Sequence, residues 1–418
     1  MPPRRNADTG GPQGTPPTPT PGPRAVGAGV LAAIEDAAAS LRGRDLRGEE
    51  LARAVAEVSA RYTRAREELT EGSTSQDALC ARLRFFLPRD LPKIEAPLAE
   101  LARAGAWTAK PTLRVLDLGS GLGATALGAA RYALRAGLAE RVEVTAVDRD
   151  RRALELGETL AQAIARREAL ALGWSTRAEA LSASSAAGEA PDLILLGFVL
   201  NELAEGVSED DALERQRELL QALVGRLPEG GALIALEPAL RPHSRRLSRL
   251  RDRLIADAGP AHVFAPCLHR GPCPMLERER DWCHESLPLA LPEPVAAIAR
   301  EAGLREAHLT YSYLTLTRAP GSLAALAADR AGYRVVSQPL RSKGKVELLI
   351  CTDGPLRSLR RLDRHRSAHN RVVEDLGRGS VVAVQGAQPR GPRLEVLQDT
   401  DIEVLQTVAP DDEATPPM

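Results

Sequence analysis

The amino-acid sequence predicts an α/β protein built on a parallel sheet, and two observations carry the prediction. Short apolar runs alternate with helical stretches between residues 113 and 237, which is typical of βαβ units. The first run, Leu113 to Leu118, suits a strand buried on both faces. Alternating glycines and a predicted helix over 124–135 follow it at once. We therefore expect a Rossmann-like site where this turn lets the backbone approach a ligand.

Acidic residues beside the glycine turn indicate which ligand it takes. Asp117 precedes Gly119 by two residues, where a carboxylate would repel a phosphate but suit the ammonium and sulfonium groups of S-adenosylmethionine (SAM). Asp148 ends the second predicted strand twenty-five residues after Gly123, near the spacing of an acid that binds ribose hydroxyls. The alternative is a solvated loop acid after each strand. We predict a class I SAM-dependent methyltransferase fold whose cofactor-binding residues are Asp117, Gly119, Gly121, Gly123 and Asp148.

Length and composition set the outer bounds. A chain of 418 residues allows two or three domains, and a net charge of −1 means that nucleic acid must be bound by local patches. No apolar run approaches the roughly eighteen residues of a membrane span, and the N-terminus lacks the apolar region of a signal peptide. It also lacks an amphipathic organelle presequence. We expect a soluble protein of the bacterial cytoplasm with no membrane partner.

The N-terminal quarter divides into a tail and a helical region. Residues 1–24 are rich in Pro, Gly and Thr, and we expect a disordered tail. Residues 25–110 show apolar residues at helical spacing and predict a helical N-terminal domain, in which Cys80 is a small buried residue. The arginines and phenylalanines at 82–86 either stack on RNA bases or pack a helix against the next domain.

After the glycine turn the β-α alternation continues through a predicted SAM-binding domain at 111–352. We predict strands near 174–180, 191–197 and 231–237 and helices near 150–170 and 208–227. The loop 198–203 follows the fourth strand, where ligands of open α/β sheets bind. Asn201 and Glu202 are therefore weak candidates for catalytic residues. This loop lacks the Asn-Pro-Pro-aromatic sequence of amino-methylating enzymes, so the methyl-transfer chemistry is not evident from it.

An arginine-rich stretch at 241–253 has six arginines against one acid. On a helix it predicts either a basic face for RNA phosphates or a solvated surface. The RNA-binding candidates are Arg241, Arg245, Arg246, Arg249 and Arg253.

Four of the five cysteines form a set spaced C-x5-C-x9-C-x67-C: Cys267, Cys273, Cys283 and Cys351. Disulfides are not expected in a reducing cytoplasm, and three cysteines within seventeen residues indicate metal ligation. The tight C-x2-C pairs of zinc sites are missing, so an iron–sulfur cluster on four thiolates is favoured. Zinc, with His269 or His284 as a substitute ligand, and unligated thiols are the alternatives. The first three cysteines belong to a predicted insertion at 261–290.

The C-terminal part predicts a small basic β module at 353–408 and a disordered tail at 409–418. Strand-like stretches begin at Ser380 and Arg393, after a run of arginines between 357 and 371.

Several motifs together resemble the methyltransferase-like small-ribosomal-subunit assembly proteins of bacteria and mitochondria. They are the Asp-Leu-Gly-Ser-Gly-Leu-Gly turn at 117–123, Glu237-Pro238, the cysteine segments at 265–274 and 281–284, and Ser-Tyr-Leu-Thr-Leu at 312–316. The resemblance covers about residues 60–390. It implies a SAM-binding fold, an insertion with a structural four-iron [4Fe-4S] cluster held by the four cysteines above, and action on small-subunit ribosomal RNA (rRNA).

Three functions remain open at this point. The first is an rRNA methyltransferase, and the second is a ribosome assembly factor that uses the same fold for binding alone. The third, a small-molecule methyltransferase with structural zinc, leaves the arginine segments without a role. We expect a monomer whose partners are the small ribosomal subunit and its rRNA.

Overall fold

The computed structural model describes residues 26–41, 45–64, 75–186, 190–204, 206–305 and 307–408. The predicted tails at 1–24 and 409–418 lie outside these ranges. Within them, no helix is long and apolar enough to cross a membrane.

The described residues form two eight-stranded sheets. The first has the strand order β3-β2-β1-β4-β5-β8-β6, and β7 pairs with β8. Strands β1 to β5 are parallel, whereas β8 runs antiparallel to β5 and β6. The predicted strands are all present. The bounds are β1 Lys110–Leu118, β2 Ala139–Asp148, β3 Leu172–Ala178, β4 Leu193–Gly197, β5 Ala232–Glu237, β6 His262–Ala265, β7 Glu285–Pro288 and β8 His308–Thr317.

Helices cover both faces of this sheet, which explains why β5 is buried along its whole length. Leu213, Leu220 and Leu250 pack against one face, and Ala126 and Ala129 against the other. The helices are α1 Ala28–Ala39, α2 Gly48–Arg64, α3 Gln76–Ala81, α4 Leu87–Asp90, α5 Glu95–Arg103, α6 Ala124–Arg135, α7 Arg151–Glu168, α8 Glu209–Val224, α9 Arg241–Ala256 and α10 Glu293–Glu301.

The helical segment before β1 packs directly on the helix that follows the glycine turn. It runs from α3 through a π-helical turn, Arg82–Phe86, then α4, a 3-10 turn, Leu91–Ile94, and α5. A methyl group built on Gly128 of α6 would overlap the Leu91 carbonyl oxygen. The close approach fixes this segment against the start of the SAM-type site.

A second sheet, in the order β14-β15-β12-β11-β9-β13-β16 with β10 beside β11, forms the C-terminal part. It begins at Gly332, well before the predicted start of the β module at 353, because β9 pairs with both β11 and β13. The sheet therefore includes the strand that ends at Cys351. Its strands are β9 Gly332–Val335, β10 Leu340–Ser342, β11 Lys345–Cys351, β12 Arg357–Leu362, β13 Val381–Gln385, β14 Gln388–Arg390, β15 Arg393–Val396 and β16 Asp401–Gln406.

A buried charge network joins the three parts of the chain. Arg334 of β9 pairs with Glu100 of α5 at 2.9 Å and with Glu285 of β7 at 2.8 Å. Tyr313 of β8 and Gln406 of β16 donate hydrogen bonds to Glu100. Two carboxylates thus share one guanidinium, and each of the three charged side chains is less than 5% exposed. The sequence gives no local signal for this network.

Candidate functional site

The glycine turn joins β1 to α6 in the predicted place. Gly119, Gly121 and Gly123 all have positive φ, between 54° and 78°. A methyl group at Gly121 would also meet the Arg82 guanidinium, the end of a flexible side chain that lies against the turn. The turn is tied to the neighbouring strand by bonds from the Gly119 and Ser120 amides to the Val147 carbonyl.

Asp117 lies beneath the turn and does not line the cleft above it. Its Oδ2 accepts a hydrogen bond from Ser120 Oγ at 2.8 Å, and the Ala126 amide also donates to this carboxyl group. Asp117 is 1% exposed, and its Oδ1 has no hydrogen-bond partner among the described residues. Burial raises the pKa of Asp117 to about 7. This geometry makes Asp117 a support for the turn, and its predicted contact with SAM stays a prediction.

Asp148 ends β2 and lines the cleft beside the turn. Its Oδ2 accepts from the Gly121 amide at 2.7 Å, and its Oδ1 accepts from the Asp150 amide at 2.8 Å. These bonds fix the carboxylate at the rim of the turn. This is the place that the spacing predicts for a ribose ligand, although the ligand itself is untested.

The cleft has a volume of about 570 Å³, within the range of small-molecule sites. Its floor is the glycine turn and the ends of β2 and β4. Its opposite wall comes from the helical segment before β1, which contributes Arg82, Phe86, Asp90 and Lys93. The sequence does not decide whether this segment stacks on RNA bases or packs a helix against the next domain. Its position beside the glycine turn depends on tertiary packing, which a local sequence pattern does not predict.

The loop after β4 places its two candidate residues differently. Glu202 lines the cleft. Asn201 is buried and donates from Nδ2 to the Phe198 carbonyl at 3.2 Å, while its Oδ1 has no partner in the described part of the chain. Phe198 has φ +64°, a backbone conformation that bulky residues rarely adopt, and its ring lies 4.7 Å from Lys93 Nζ. Asn201 therefore shapes the loop and does not face the cleft.

The four predicted metal ligands come together from the loops of the insertion and from the end of β11. Cys267, Cys273 and Cys283 line one small cavity of about 30 Å³ beside α9. Cys351, at the end of β11, packs in the same small cluster as Cys273 and Cys283. His269 Nε2 lies 3.2 Å from Cys351 Sγ. Three cysteines of the insertion thus meet the one from the second sheet.

Burial raises the pKa of all four thiols, and neighbouring cysteines add to the effect for Cys273, Cys283 and Cys351. The pKa of Cys273 is raised to about 11, first by burial and next by Cys267. Burial also raises the pKa of Cys351, with added effects of Cys267, Cys283 and Cys273. Such coupling requires thiols close to one another. A bound metal cation would instead lower the pKa of each thiol that it binds, because cysteine ligates a metal as the thiolate.

Neighbouring charged groups hold the cysteine loop in place. The Arg251 guanidinium of α9 donates to the His269 and Gly271 carbonyls. The Asp252 carboxylate accepts from the Cys273 amide at 3.0 Å. Arg245, predicted to bind RNA, instead donates to the carbonyls of residues 275, 276, 278 and 281.

Within the described residues, no group of three or more His, Cys, Asp or Glu side chains is placed to hold a metal ion. An iron–sulfur cluster is therefore not shown, and neither is zinc. A four-iron cluster binds each thiolate to a different iron, so its ligands need not converge on one point. Three thiols line one cavity and the Cys351 thiol packs beside those of Cys273 and Cys283, a donor set that fits this chemistry.

The arginines of α9 are largely engaged within the chain. Arg246 and Arg249 pair with Glu209 of α8 at 2.7 and 3.1 Å, and Arg253 pairs with Asp210 at 2.6 Å. Arg241 is exposed and has no ion pair among the described residues. The predicted RNA-binding face is thus partly neutralised by acids that lie more than thirty residues earlier in the sequence, and RNA binding stays a prediction.

Strand order and glycine turn together define a class I SAM-dependent methyltransferase fold, as predicted. The chain belongs to the Rsm22 family: the family model described as mitochondrial small ribosomal subunit Rsm22 matches residues 87–362. A search of curated protein sequences finds no significant match.

Solved structures similar to this chain include methyltransferases of low sequence identity. Precorrin-6y C5,15-methyltransferase from Geobacter metallireducens is 13% identical over 53% of this chain and 88% of its own, with a TM-score of 0.30. A SAM-dependent methyltransferase from Methanosarcina mazei is 12% identical over 50% and 94%, with a TM-score of 0.29. One from Clostridium acetobutylicum is 12% identical over 64% and 70%, with a TM-score of 0.25.

Proposed function

We propose that this protein binds SAM in the cleft at the ends of β1, β2 and β4 and acts on small-subunit rRNA during ribosome assembly. One observation carries the proposal: the glycine turn and Asp148 share a cleft of about 570 Å³ in a chain of the Rsm22 family. The family description supplies the small ribosomal subunit as partner.

Methyl transfer and binding alone are distinguished by the loop after β4. A methyltransferase needs a residue that positions the acceptor beside the methyl group. Asn201 is turned into the protein, and only Glu202 of the two candidates reaches the cleft. This arrangement favours the second candidate function, a ribosome assembly factor that binds SAM and RNA without transferring a methyl group.

The test of SAM binding is calorimetric titration of the purified protein. We expect SAM to bind, and Asp148→Ala to weaken binding because the variant loses the carboxylate at the rim of the turn. Asp329→Ala, which changes an exposed acid outside the cleft, is the control. Unaltered affinity in Asp148→Ala would contradict the assigned site.

Methyl transfer is tested on small-subunit particles from cells that lack the protein. Purified protein and SAM with a labelled methyl group are added, and the label in rRNA is measured. Label that depends on the protein establishes a methyltransferase. Particle binding without label establishes the assembly factor.

We also propose that the four cysteines hold a [4Fe-4S] cluster, with Cys267, Cys273, Cys283 and Cys351 as ligands. Such a cluster would be structural here, since it would cross-link the insertion to the end of β11. Protein purified without oxygen should show a broad visible absorption band and about four irons per chain. One zinc per chain would favour the alternative metal, and a metal-free, stably folded protein would contradict both.

The cellular compartment in which the protein acts is also part of this proposal. The sequence led us to expect a bacterial cytoplasm, whereas the family is described as mitochondrial. A small ribosomal subunit is present in either compartment. We propose a monomer in the free state, which sedimentation analysis would check.

A further inference from the structure

We propose that Arg82 binds the α-carboxylate of the methionine half of SAM. The assignment rests on the SAM site proposed above and adds a residue that lies outside the glycine turn. Arg82 begins the π-helical turn before β1 and lines the cleft. Its guanidinium lies against the glycine turn, where a methyl group on Gly121 would overlap it.

The Arg82 side chain is 20% exposed, yet its hydrogen-bonding capacity is unused. Within the described residues its guanidinium donates no hydrogen bond. Its ion pair with Asp150 Oδ2 is 3.9 Å long, beyond hydrogen-bond distance. A guanidinium has five N–H donors. Among the described residues, none of the Arg82 nitrogens is a fully buried atom without a partner, so these donors are reachable from the cleft. The geometry therefore leaves them available to an acceptor there.

SAM has a single anionic group, its α-carboxylate, beside a cationic ammonium and sulfonium. A planar carboxylate matches the fork of a guanidinium and accepts two parallel hydrogen bonds from it. The ribose would lie towards Asp148, and the methionine end would pass over the glycine turn. Arg82 stands over that turn, which is where the carboxylate would arrive.

Two other cations line the cleft, and neither is placed as Arg82 is. Lys93 Nζ is paired with Asp90 at 2.7 Å and lies over the Phe198 ring. Arg149 is exposed and directly follows Asp148, on the ribose side of the cleft. Arg82 is the cation of the three that is both largely buried and without a hydrogen bond in the described part of the chain.

The π-helical turn explains how Arg82 is held. Arg84, two residues later, faces away from the cleft, where its guanidinium pairs with Asp45 at 2.8 Å and with Glu35. The wider turn of a π-helix re-aims successive side chains, and such turns are frequent at functional sites. Anchoring one side of the turn keeps Arg82 directed at the cleft, and this pre-organisation favours binding.

The experiment measures dissociation constants of three ligands for the wild-type protein and for Arg82→Met. The ligands are SAM, decarboxylated SAM, which lacks only the α-carboxylate, and methylthioadenosine, which lacks the whole amino-acid end. We expect Arg82→Met to weaken SAM binding by about 10- to 100-fold, the effect of one charge-assisted hydrogen-bonded pair. The affinities for decarboxylated SAM and methylthioadenosine should not change.

Matched variants separate this effect from general charge and folding. Arg151→Met removes an exposed cation at the start of α7, outside the cleft, and should leave all three affinities unchanged. Arg82→Lys keeps the charge but not the fork and should fall between wild type and Arg82→Met. Retained methylthioadenosine binding shows that each variant is folded.

Three results would overturn the inference. If Arg82→Met weakens SAM and decarboxylated SAM equally, Arg82 does not read the carboxylate. If SAM affinity is unchanged while RNA affinity falls, Arg82 contacts a phosphate. If the wild-type protein binds neither SAM nor methylthioadenosine, the proposed SAM site fails, and the role of Arg82 fails with it.

Discussion

Individual side chains show that sequence spacing predicts where a residue lies on a strand or helix better than it predicts where the side chain points. Asp117 and Asp148 both lie at the predicted strand ends, but only Asp148 reaches the cleft. Asp117 is turned under the glycines because Ser120 Oγ bonds it there. Arg245 likewise lies on the predicted helix but binds backbone carbonyls of the cysteine loop. The sequence fixes neither choice of partner, since each depends on how the turn or loop folds back.

The buried Asp117 carboxyl predicts a pH effect on stability. Its pKa is raised from 3.8 to about 7, so the native state holds a proton that the unfolded state releases between these values. Stability from this group is present below the unfolded pKa and is lost as pH rises through the folded pKa. As the pH rises from 4 to 8, we expect the free energy of unfolding of Asp117→Asn to increase relative to that of the wild type, by up to about 4 kcal/mol.

Urea unfolding of both proteins at several pH values measures this difference. Asp329→Asn, which changes an exposed acid, should show no comparable trend. A difference between Asp117→Asn and wild type that stays constant with pH would contradict the raised pKa.

At the scale of elements, the parts governed by local pattern could be predicted. Parallel strands, the glycine turn and the arginine-rich helix all follow from periodicity and from glycine placement. The wall of the cleft could not, because α4 and the 3-10 turn after it are positioned by packing on α6. The start of the second sheet was also predicted too late in the chain, since β9 is short and pairs with strands that lie much later in the sequence.

The contact between α6 and the segment before β1 predicts the effect of Gly128→Ala. The added methyl group would overlap the Leu91 carbonyl oxygen, so the segment must shift. Overpacking of this kind costs about 1–3 kcal/mol, and SAM affinity should fall because Arg82 moves with the segment. Gly230→Ala is the control, since a methyl group there meets no atom within 4 Å. Unchanged thermal unfolding and SAM affinity in Gly128→Ala would show that the packing is looser than described.

The charge pairs between α8 and α9 predict which arginines contact RNA. Arg241 is exposed and unpaired in the described part of the chain, whereas Arg246 is paired with Glu209. Arg241→Gln should lower the slope of log affinity against log salt by about 0.9, the effect of one phosphate contact. Arg246→Gln should leave the slope unchanged and cost at most about 1 kcal/mol of stability. Equal slopes for wild type and Arg241→Gln would remove α9 from the RNA-binding surface.

Across the whole molecule, three stretches far apart in sequence meet at a few buried groups. The cysteines join the insertion to the second sheet, and Arg334 joins that sheet to α5 and β7. Glu100 and Arg334 are separated by 234 residues, so no local sequence pattern predicts their pairing. The first sheet, its helices and the second sheet are therefore expected to unfold together.

Arg334→Met tests this coupling. Burial and Glu100 raise the pKa of Glu285, and Arg334 opposes this effect. Removing the arginine leaves two buried carboxylates without their shared partner, which should cost about 3–5 kcal/mol in the free energy of unfolding. Glu285→Gln should lower the free energy of unfolding by less, because Arg334 still pairs with Glu100 in that variant. Urea unfolding would then show one cooperative transition at lower urea for Arg334→Met. Two separate transitions in the wild-type protein would mean that the network does not couple the sheets.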